Sequence, residues 1–335
     1  MKTGVLIVNL GTPDSPATPD VRKYLSEFLN DPRVIDIHPI ARMLLVNLII
    51  VPFRSSKSAK LYKEIWREDG KSPLLHYSER QLELLSKSLG DKFDVQMAMR
   101  YQSPSLDKAL DHYKKQFYKK IIVLPLFPQY ASASTGSVQE KIMKIISKWE
   151  IVPEIEFINS FCDHPDFIQA FAELGNKHNP ANYDHVLMSF HGLPERQIKK
   201  GDNFDHCLKD GCCDTLNDKN AFCYRAQCHQ TARKMAEAMN IPKDKYTICF
   251  QSRLGKDPWI KPYSDMIIKE RAAKGDKKLL VFAPAFVSDC LETVYEISVE
   301  YGELFREHGG EKVQLVESLN DSPKWIDAMK SIIHQ

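Results

Sequence analysis

The chain carries eight short apolar runs, and amphipathic helical segments separate most of them. Apolar runs without polar alternation are typical of parallel strands that are buried on both faces. Gly4–Leu10 (GVLIVNL) is the clearest example. The other runs are Phe93–Met99, Lys120–Leu126, Glu154–Ile158, Asp184–Phe190, Tyr246–Phe250, Lys278–Ala283 and Lys312–Glu317. The pattern predicts an α/β protein with parallel sheets.

The two halves of the chain resemble each other around these runs. VLIVNLGTP (Val5–Pro13) is similar to VLMSFHGLP (Val186–Pro194), and IIVLPLFPQYAS (Ile121–Ser132) to LLVFAPAFVSD (Leu279–Asp289). We therefore predict two doubly wound domains of four strands each, the first over 1–150 with 312–335 added, the second over 151–311. Helices are predicted at Ser78–Leu89, Ser105–Phe117, Val138–Trp149, Asp166–Lys177 and Gln230–Met239.

Composition narrows the class of function. The 335 residues are 43% hydrophobic and 27% charged, with a net charge of +2, which gives no argument for a nucleic-acid partner. Met1 is followed within a few residues by a predicted strand, so we expect a cytoplasmic protein without a signal peptide. Eight cysteines are then expected to be reduced thiols, metal ligands or core residues.

A row of acidic residues follows the seventh apolar run. Asp289, Glu292, Glu296, Glu300 and Glu303 are spaced so that one helix would present them as a single stripe, with Leu291, Val294 and Tyr295 facing a core. Such a stripe is often only a solvated face. Here no basic residue relieves it within Phe282–Phe305, which favours a path for a divalent cation or for protons.

His191 directly follows the fifth apolar run, in the sequence Phe190-His191-Gly192-Leu193-Pro194. In doubly wound sheets, ligands bind outside the carboxyl ends of the strands. A lone histidine is more often structural. At this position, however, a neutral imidazole could bind a metal or accept a proton near neutral pH.

Met43–Phe53 (MLLVNLIIVPF) is the longest apolar stretch, and the basic, serine-rich segment Arg54–Lys60 follows it. We expect it to be too short to span a bilayer. It fits either a core helix or an exposed apolar lip that admits a flat hydrophobic ligand and touches a membrane surface.

A cysteine-rich insertion occupies Gly201–His229. It holds five of the eight cysteines, in the spacing C-x4-C-C-x9-C-x4-C. These are Cys207, Cys212, Cys213, Cys223 and Cys228. Thiolate clusters hold zinc or iron–sulfur centres, and the lack of paired C-x2-C knuckles favours iron–sulfur.

Several of these stretches together resemble the ferrochelatase family, enzymes that insert Fe²⁺ into a porphyrin in the terminal step of haem synthesis. The matching stretches span the chain in the family's order. They are VNLGTP, MRYQSP (Met99–Pro104), FPQYASASTGS (Phe127–Ser137), SFHGLP (Ser189–Pro194), FQSRLGKDPWIKP (Phe250–Pro262), APAFVSDCLETVYEI (Ala283–Ile297) and ESLNDSP (Glu317–Pro323). The resemblance implies two Rossmann-like domains with the porphyrin cleft between them.

The resemblance also implies roles for individual residues. His191 corresponds to the cleft histidine that takes a pyrrole proton or binds the incoming metal, with Glu292 as its acidic counterpart. Asp289, Glu296 and Glu300 continue the acidic path. Residues that line the pocket or hold the propionates are implied at Arg54, Tyr62, Arg100, Tyr101, Tyr130, Ser132, Ser134, Gln251, Ser252, Trp259 and Phe286. Cys290 stands where some relatives carry a histidine.

Some relatives hold a [2Fe–2S] cluster through cysteines near the C-terminus, whereas this chain has none after Cys290. Its candidates are four of the five cysteines in the insertion, with Cys228 the dispensable one and a structural zinc site as the alternative. We expect protoporphyrin IX and Fe²⁺ as substrates and transient membrane contact, and a homodimer stays open. A chelatase for another tetrapyrrole such as coproporphyrin, or for another metal, and a non-catalytic porphyrin-binding protein are the alternatives.

Overall fold

The computed structural model describes residues 2–335 except 117, 254 and 256. Two parallel sheets of four strands each form its framework, with strand orders β2-β1-β3-β4 and β6-β5-β7-β8. The strands are β1 Thr3–Gly11, β2 Phe93–Tyr101, β3 Lys120–Pro125, β4 Glu154–Phe157, β5 His185–His191, β6 Tyr246–Gln251, β7 Lys278–Phe282 and β8 Lys312–Leu315. All eight predicted strands and the two doubly wound sheets are confirmed.

The chain forms two compact units. The first is Met1–Phe127 with Ala131–Asn159 and Met329–Gln335, and the second is Pro128–Tyr130 with Ser160–Ala328. The prediction joins all of 312–335 to the first domain. Instead, β8 pairs with β7 in the second sheet, from Lys312 beside Lys278 to Leu315 beside Val281, and only the last seven residues group with the first unit.

Helices flank both sheets. The first unit contains α1 Thr18–Leu29, α2 Pro39–Leu44, α3 Val51–Ile65, α4 Pro73–Leu89, α5 Leu106–Gln116 and α6 Ser137–Ile146, with the π-helices π1 Leu45–Ile50 and π2 Ser132–Gly136. The second contains α7 Pro165–Lys177, α8 Glu195–Lys200, α9 Tyr224–Ala238, α10 Ser264–Ala273, π3 Leu291–Tyr301 and α11 Gly302–Glu307, with 3₁₀ turns at Pro180–Asn182 and Lys243–Lys245. The last helix, α12, is Pro323–Ile333.

Several helix boundaries differ from the prediction. The first predicted helix begins earlier, at Pro73, because the Ser72 hydroxyl accepts the N–H of Leu75 and caps it. The second is described to Gln116, and Phe117 lies outside the described residues. Helix α9 begins six residues before the predicted start, so the end of the cysteine-rich insertion is helical.

The central strands β1, β3, β5 and β7 bury most of their side chains on both faces, as their sequence predicts, whereas the edge strands β4 and β8 are partly exposed. Leu6 and Val8 of β1 pack with Ile121 and Val123 of β3 in the first core. Leu187 of β5 occupies the corresponding place in the second core. The turn after β1 requires glycine, because Gly11 has φ = 123° and a Cβ there would collide with the carbonyl oxygen of Tyr101.

The helix that carries the acidic row is a π-helix, not the α-helix assumed in the prediction. Its hydrogen bonds join residues five apart, which shifts the buried face. Thr293, Ile297 and Tyr301 are its buried residues, whereas the predicted core-facing residues are only partly buried. π-helical turns occur often at functional sites.

Candidate active site

His191 is the last residue of β5, beside the point where the strand order of the second sheet reverses. Its ring Nδ1 lies 2.7 Å from the carbonyl oxygen of Gly192. Because a carbonyl oxygen only accepts hydrogen bonds, Nδ1 carries the proton and Nε2 of the neutral ring presents a lone pair. Aromatic side chains neighbour the imidazole, with ring centroids 6.5 Å away for Trp259 and 6.4 Å for Phe286.

The turn after His191 leaves no room for a side chain at Gly192. A Cβ there would lie 2.9 Å from the carbonyl oxygen of Gln251 and 3.1 Å from the Trp259 ring. The N–H of Gly192 donates to that same oxygen of Gln251 at 2.8 Å. The glycine of the His-Gly-Leu-Pro motif thus allows the histidine turn to pack directly on β6 and on Trp259.

Glu296 is held by three donors from its own unit. Ser252 Oγ donates to Oε2 at 2.5 Å, Gln251 Nε2 to the same atom at 3.0 Å, and Tyr301 OH to Oε1 at 3.2 Å. Tyr301 lies five residues along the π-helix, the spacing that this helix brings into register. The amide of Gln251 is oriented by Ser189 Oγ, which donates to Oε1 at 2.7 Å.

The environment of Glu296 raises the pKa of its carboxyl above the usual range. Burial is the largest cause, and the nearby negative charge of Glu292 acts in the same direction. The hydrogen bond from Ser252 and the positive form of His191 oppose it. Glu296 thus lies near enough to His191 for the two side chains to interact electrostatically.

Asp289 does not extend the acidic row as predicted. It precedes π3, whose N-cap is Cys290, and it is buried. Its carboxylate accepts hydrogen bonds from Thr293 Oγ1 at 3.0 Å, from Asn320 Nδ2 at 2.8 Å and from the N–H of Ser318 at 3.2 Å. These bonds fix the start of the helix, which gives Asp289 a structural role.

The remaining acidic residues become more exposed along the helix. Glu292 and Glu296 are half-buried, Glu300 is exposed, and Glu303 lies exposed in α11. Gln251 Nε2 also donates to the main-chain oxygen of Glu292, at 3.1 Å. Three carboxylates thus lead from solvent towards the neighbourhood of His191.

The other predicted pocket residues of the second unit lie at strand ends or loops. Ser252 follows β6 with φ = 64°, a left-handed conformation that is uncommon outside glycine. The N–H of Tyr130 donates to Gln227 Oε1 at 2.6 Å, and its ring lies 5.7 Å from that of Phe222. Trp259, Phe286 and Gln251 surround the histidine turn as described above.

In the first unit, Arg100 and Tyr101 belong to a buried network. Arg100 Nη2 lies 2.6 Å from Asp31 Oδ2, and the hydroxyls of Tyr101 and Ser137 donate to the same oxygen at 2.9 and 2.5 Å. Burial raises the pKa of Tyr101, with Asp31 adding to the shift. Tyr101 is fully buried, and the Arg100 guanidinium carbon lies 4.5 Å from the centroid of its ring. Sequence reasoning missed Asp31, whose position carries no motif.

The other first-unit candidates are more dispersed. Arg54 is exposed on α3, while Tyr62 on the same helix is buried. Ser132 begins π2 and accepts a hydrogen bond from Arg33 Nη1 at 2.8 Å. Ser134 Oγ lies 3.5 Å from the main-chain oxygen of Ala131. Arg33 is a further cation near the serine-rich motif that sequence reasoning did not select.

Four of the five insertion cysteines, Cys207, Cys212, Cys213 and Cys223, lie near one another. Sγ atoms of Cys212 and Cys213 are 3.6 Å apart, and Cys207 lies within hydrogen-bonding reach of Cys223. Arg225 Nη1 lies 3.7 Å from Cys212 Sγ and 3.3 Å from Cys213 Sγ. Burial raises the pKa of Cys213 to about 12, against the lowering effect of Arg225.

Cys228 lies within α9, is fully buried, and forms a hydrogen bond with the Tyr224 side chain. It also interacts electrostatically with Cys213 and Cys223. Across the described residues, no three His, Cys, Asp or Glu side chains converge as a ready site for a single metal ion.

Solved structures that share this fold include two of SirB. They are SirB from Bacillus subtilis with Fe³⁺ (TM-score 0.56, 12% identity, covering 100% of this chain and 95% of that chain) and the sirohydrochlorin chelatase SirB from Bacillus subtilis subspecies spizizenii in complex with cobalt (TM-score 0.55, 12% identity, covering 100% and 94%). At this identity the likeness concerns the fold alone. The class that the fold defines is that of α/β proteins with two parallel four-stranded sheets.

Sequence comparison narrows this class. The family model for ferrochelatase matches residues 2–335, and the chain belongs to the ferrochelatase family. It is 45% identical over 335 residues to the ferrochelatase of Legionella pneumophila (strain Paris), covering 100% of this chain and 99% of the relative. It is 42% identical over 330 residues to that of Coxiella burnetii (strain CbuK_Q154), covering 98% and 92%. The chain is therefore a metal chelatase of haem biosynthesis, with a porphyrin and a metal ion as substrates.

Proposed function

We propose that the chain inserts Fe²⁺ into protoporphyrin IX, releases two protons and produces protohaem, with His191 and the adjacent carboxylates carrying out the proton and metal transfers. The observation that carries this assignment is the orientation of His191. Its Nδ1 donates to the Gly192 carbonyl oxygen, which leaves Nε2 as the proton acceptor. Family membership supports the reaction.

The chemistry requires two pyrrole N–H groups to lose protons as the metal enters. His191 Nε2 accepts one proton, which a general base at this position can do near neutral pH. Glu296, whose raised pKa brings it closer to working pH, is suited to receive a proton and pass it on. Glu292 and exposed Glu300 complete a route between this site and solvent for protons or for Fe²⁺, a cation that accepts carboxylate and imidazole ligands.

Binding of the ring is assigned to the aromatic and basic candidates. Trp259 and Phe286, next to the imidazole, offer apolar surface to a flat macrocycle. Arg100 and Arg54 are suited to the propionates, since guanidinium groups bind carboxylates in pairs of hydrogen bonds. Asp31 would hold Arg100 in place, at 2.6 Å.

A substrate panel tests this function. Protoporphyrin and coproporphyrin are each offered Fe²⁺, Co²⁺ and Zn²⁺ without oxygen, and kcat/KM is compared. We expect the highest value for protoporphyrin with Fe²⁺. A clear preference for coproporphyrin or for another metal would assign the chain to a related chelation. Binding of the ring with unchanged free-base fluorescence after addition of every metal would indicate a porphyrin-binding protein instead.

We also propose that the insertion binds a [2Fe–2S] cluster through Cys207, Cys212, Cys213 and Cys223. The four thiols fit this group in number, and they lie near enough to one another to interact electrostatically. Arg225 would balance negative thiolate charge. When bound, the cluster would cross-link the insertion. Cys228 is fully buried and bonded to Tyr224, and we expect it not to be a ligand.

Visible spectroscopy of protein purified without oxygen tests the cluster. Cys213→Ser is expected to abolish the absorption, whereas Cys228→Ser, the matched control, is expected to retain it. Iron and sulfide should be present in a ratio of about one to one, as in a [2Fe–2S] centre. Zinc without iron and sulfide would replace the proposal with a structural zinc site.

We propose, finally, that the helix formed by α2, π1 and α3 contacts a membrane surface. Pro39–Ile65 is 27 residues long, and an 18-residue stretch of it has a mean hydropathy of 1.2, so by length and composition alone this helix could cross a membrane. Leu48, Ile49 and Phe53 are 65%, 55% and 79% exposed, which disfavours a core helix. Val46 and Val51 are buried, so one face packs on the unit and surface contact is the better interpretation.

Liposome flotation tests this contact. Replacing Leu48, Ile49 and Phe53 with serine is expected to reduce lipid association severalfold while the melting temperature stays close to that of the parent. The matched control replaces the exposed residues Met143, Ile151 and Val152 with serine and should retain association. Equal flotation of both variants would contradict the proposal.

A further inference from the structure

The first turn of α9 connects the cysteines of the insertion to the turn that follows His191. Cys223 is the N-cap of this helix, and Tyr224 is its first residue. The Tyr224 hydroxyl donates to the main-chain oxygen of His191 at 2.8 Å. The next residue, Arg225, contacts the sulfur atoms of Cys212 and Cys213. Three consecutive residues therefore contact the thiols on one side and the histidine on the other.

The peptide group between His191 and Gly192 is held at both ends. Its carbonyl oxygen accepts the Tyr224 hydroxyl, and its N–H donates to the Gln251 oxygen at 2.8 Å. The imidazole Nδ1 in turn bonds to the following carbonyl, that of Gly192. Rotation of this peptide group would move the atom that orients the ring. The orientation of Nε2 thus depends on the Tyr224 hydroxyl.

The start of α9 is also tied to the loop that carries the thiols. The N–H of Cys223 donates to the Asn220 oxygen at 2.8 Å, and Asn220 Nδ2 donates to the main-chain oxygen of Cys212 at 2.8 Å. Asn220 is buried, so these bonds are shielded from water. A change in the spacing of the thiols would therefore move the N-terminus of α9.

We propose that Tyr224 is a positioning residue that sets the orientation of the His191 imidazole and couples it to the conformation of the cysteine-rich insertion. The proposal rests on the role of His191 in the proposed function. It does not require Tyr224 to touch either substrate. The insertion then serves to fix the first turn of α9 and, through that turn, the position of the base.

Tyr224→Phe tests the positioning role, because it removes the hydroxyl alone. We expect the His191 ring resonances, in protein carrying ¹³C-labelled histidine, to shift or broaden. We expect kcat to fall roughly three- to tenfold, the range of one lost hydrogen bond, with the porphyrin KM unchanged. The matched control is Tyr183→Phe, at the other end of β5, which should change neither quantity. Should the variant not fold, 4-fluorophenylalanine at position 224 restores the volume without a donor.

A second experiment tests the coupling between the cysteine-rich insertion and His191. Cys213→Ser is expected to move the His191 resonances in protein with Tyr224, and to cause no further movement in the double variant with Tyr224→Phe. Unchanged His191 resonances in Tyr224→Phe, or equal changes in Tyr183→Phe, would overturn the positioning role. Additive shifts in the double variant would overturn the coupling. Retained turnover in His191→Ala would reject the proposed function. The His191 resonances of the other variants would still test the role of Tyr224.

Discussion

At the residue scale, the imidazole of His191 is the group on which the chemistry depends most. We expect His191→Ala to reduce iron insertion at least about 100-fold, the usual contribution of a general base, while porphyrin still binds. Rates from loss of porphyrin fluorescence and affinities from fluorescence titration measure the two effects. His308→Ala, at the end of α11, is the matched control. Near-normal turnover in His191→Ala would reject the assigned role.

Glu296 gives a prediction with a defined sign. A carboxyl whose pKa is raised by folding contributes stability that is present at low pH and is lost as pH rises through the folded pKa. Glu296→Gln removes this loss. The free energy of unfolding of the variant, minus that of the parent, should therefore be larger at pH 7.5 than at pH 4.

Urea unfolding at the two pH values measures this difference. The cost of hydrogen bonds that the substitution changes equally at both pH values cancels when the two results are subtracted. Glu300→Gln, on the exposed part of the same helix, is the control and should show little change between the two values. A relative stability of Glu296→Gln that falls with rising pH would contradict the burial of a charged carboxyl at this position.

Sequence reasoning reached His191 and the acidic row because strand ends and charge spacing are visible in a sequence. It did not predict Tyr301, Tyr224 or Asp31, because no local motif indicates the hydrogen bonds through which they act. It also misjudged Asp289, because the three donors that occupy its carboxylate come partly from a loop after β8. No local pattern encodes such partners.

At the scale of elements, β5 contributes a pH-dependent stability through its first residue. Burial, with Arg271 adding to it, lowers the pKa of His185 to about 4. Below pH 6.5 the unfolded chain binds a proton there that the folded chain does not, so stability is lost as pH falls towards about 4.

His185→Gln should remove this part of the acid destabilisation, at most about 3 kcal/mol between pH 7 and pH 4. Glutamine retains a donor for the Thr247 hydroxyl, which His185 Nε2 contacts at 2.8 Å. The measurement is the free energy of unfolding between these pH values. An unchanged pH slope in the variant would show that His185 does not titrate on unfolding.

Strand positions were predicted from the sequence pattern more accurately than the helical elements. The apolar strands lie within two residues of their predicted ends, because buried parallel strands have few sequence alternatives. The π-helical turns were not predicted, since the order of residue types does not show whether helical hydrogen bonds join residues four or five apart. The predicted choice between a core helix and an exposed lip at Met43–Phe53 needed the packing of the first unit.

At the scale of the whole molecule, the repeat of one topology is the feature that the sequence predicted best. Both sheets have the same order, and the residue after the second strand of each is left-handed, Gln102 at φ = 65° and Ser252 at φ = 64°. Only the second repeat carries the histidine and the acidic helix. Its strand ends therefore hold the candidate catalytic groups, whereas the first unit contributes the Arg100 network.

The proposed function requires the chain, using His191, to insert one Fe²⁺ and release two protons for each porphyrin. The most direct measurement mixes Fe²⁺, without oxygen, with an equimolar complex of the protein and protoporphyrin IX in weakly buffered indicator dye. We predict that porphyrin fluorescence disappears, one haem forms per ring, and two protons are released with it. The His191→Ala complex should show none of these changes. A parent complex that keeps its fluorescence after Fe²⁺ is added, or a variant that forms haem at the parent rate, would contradict the account.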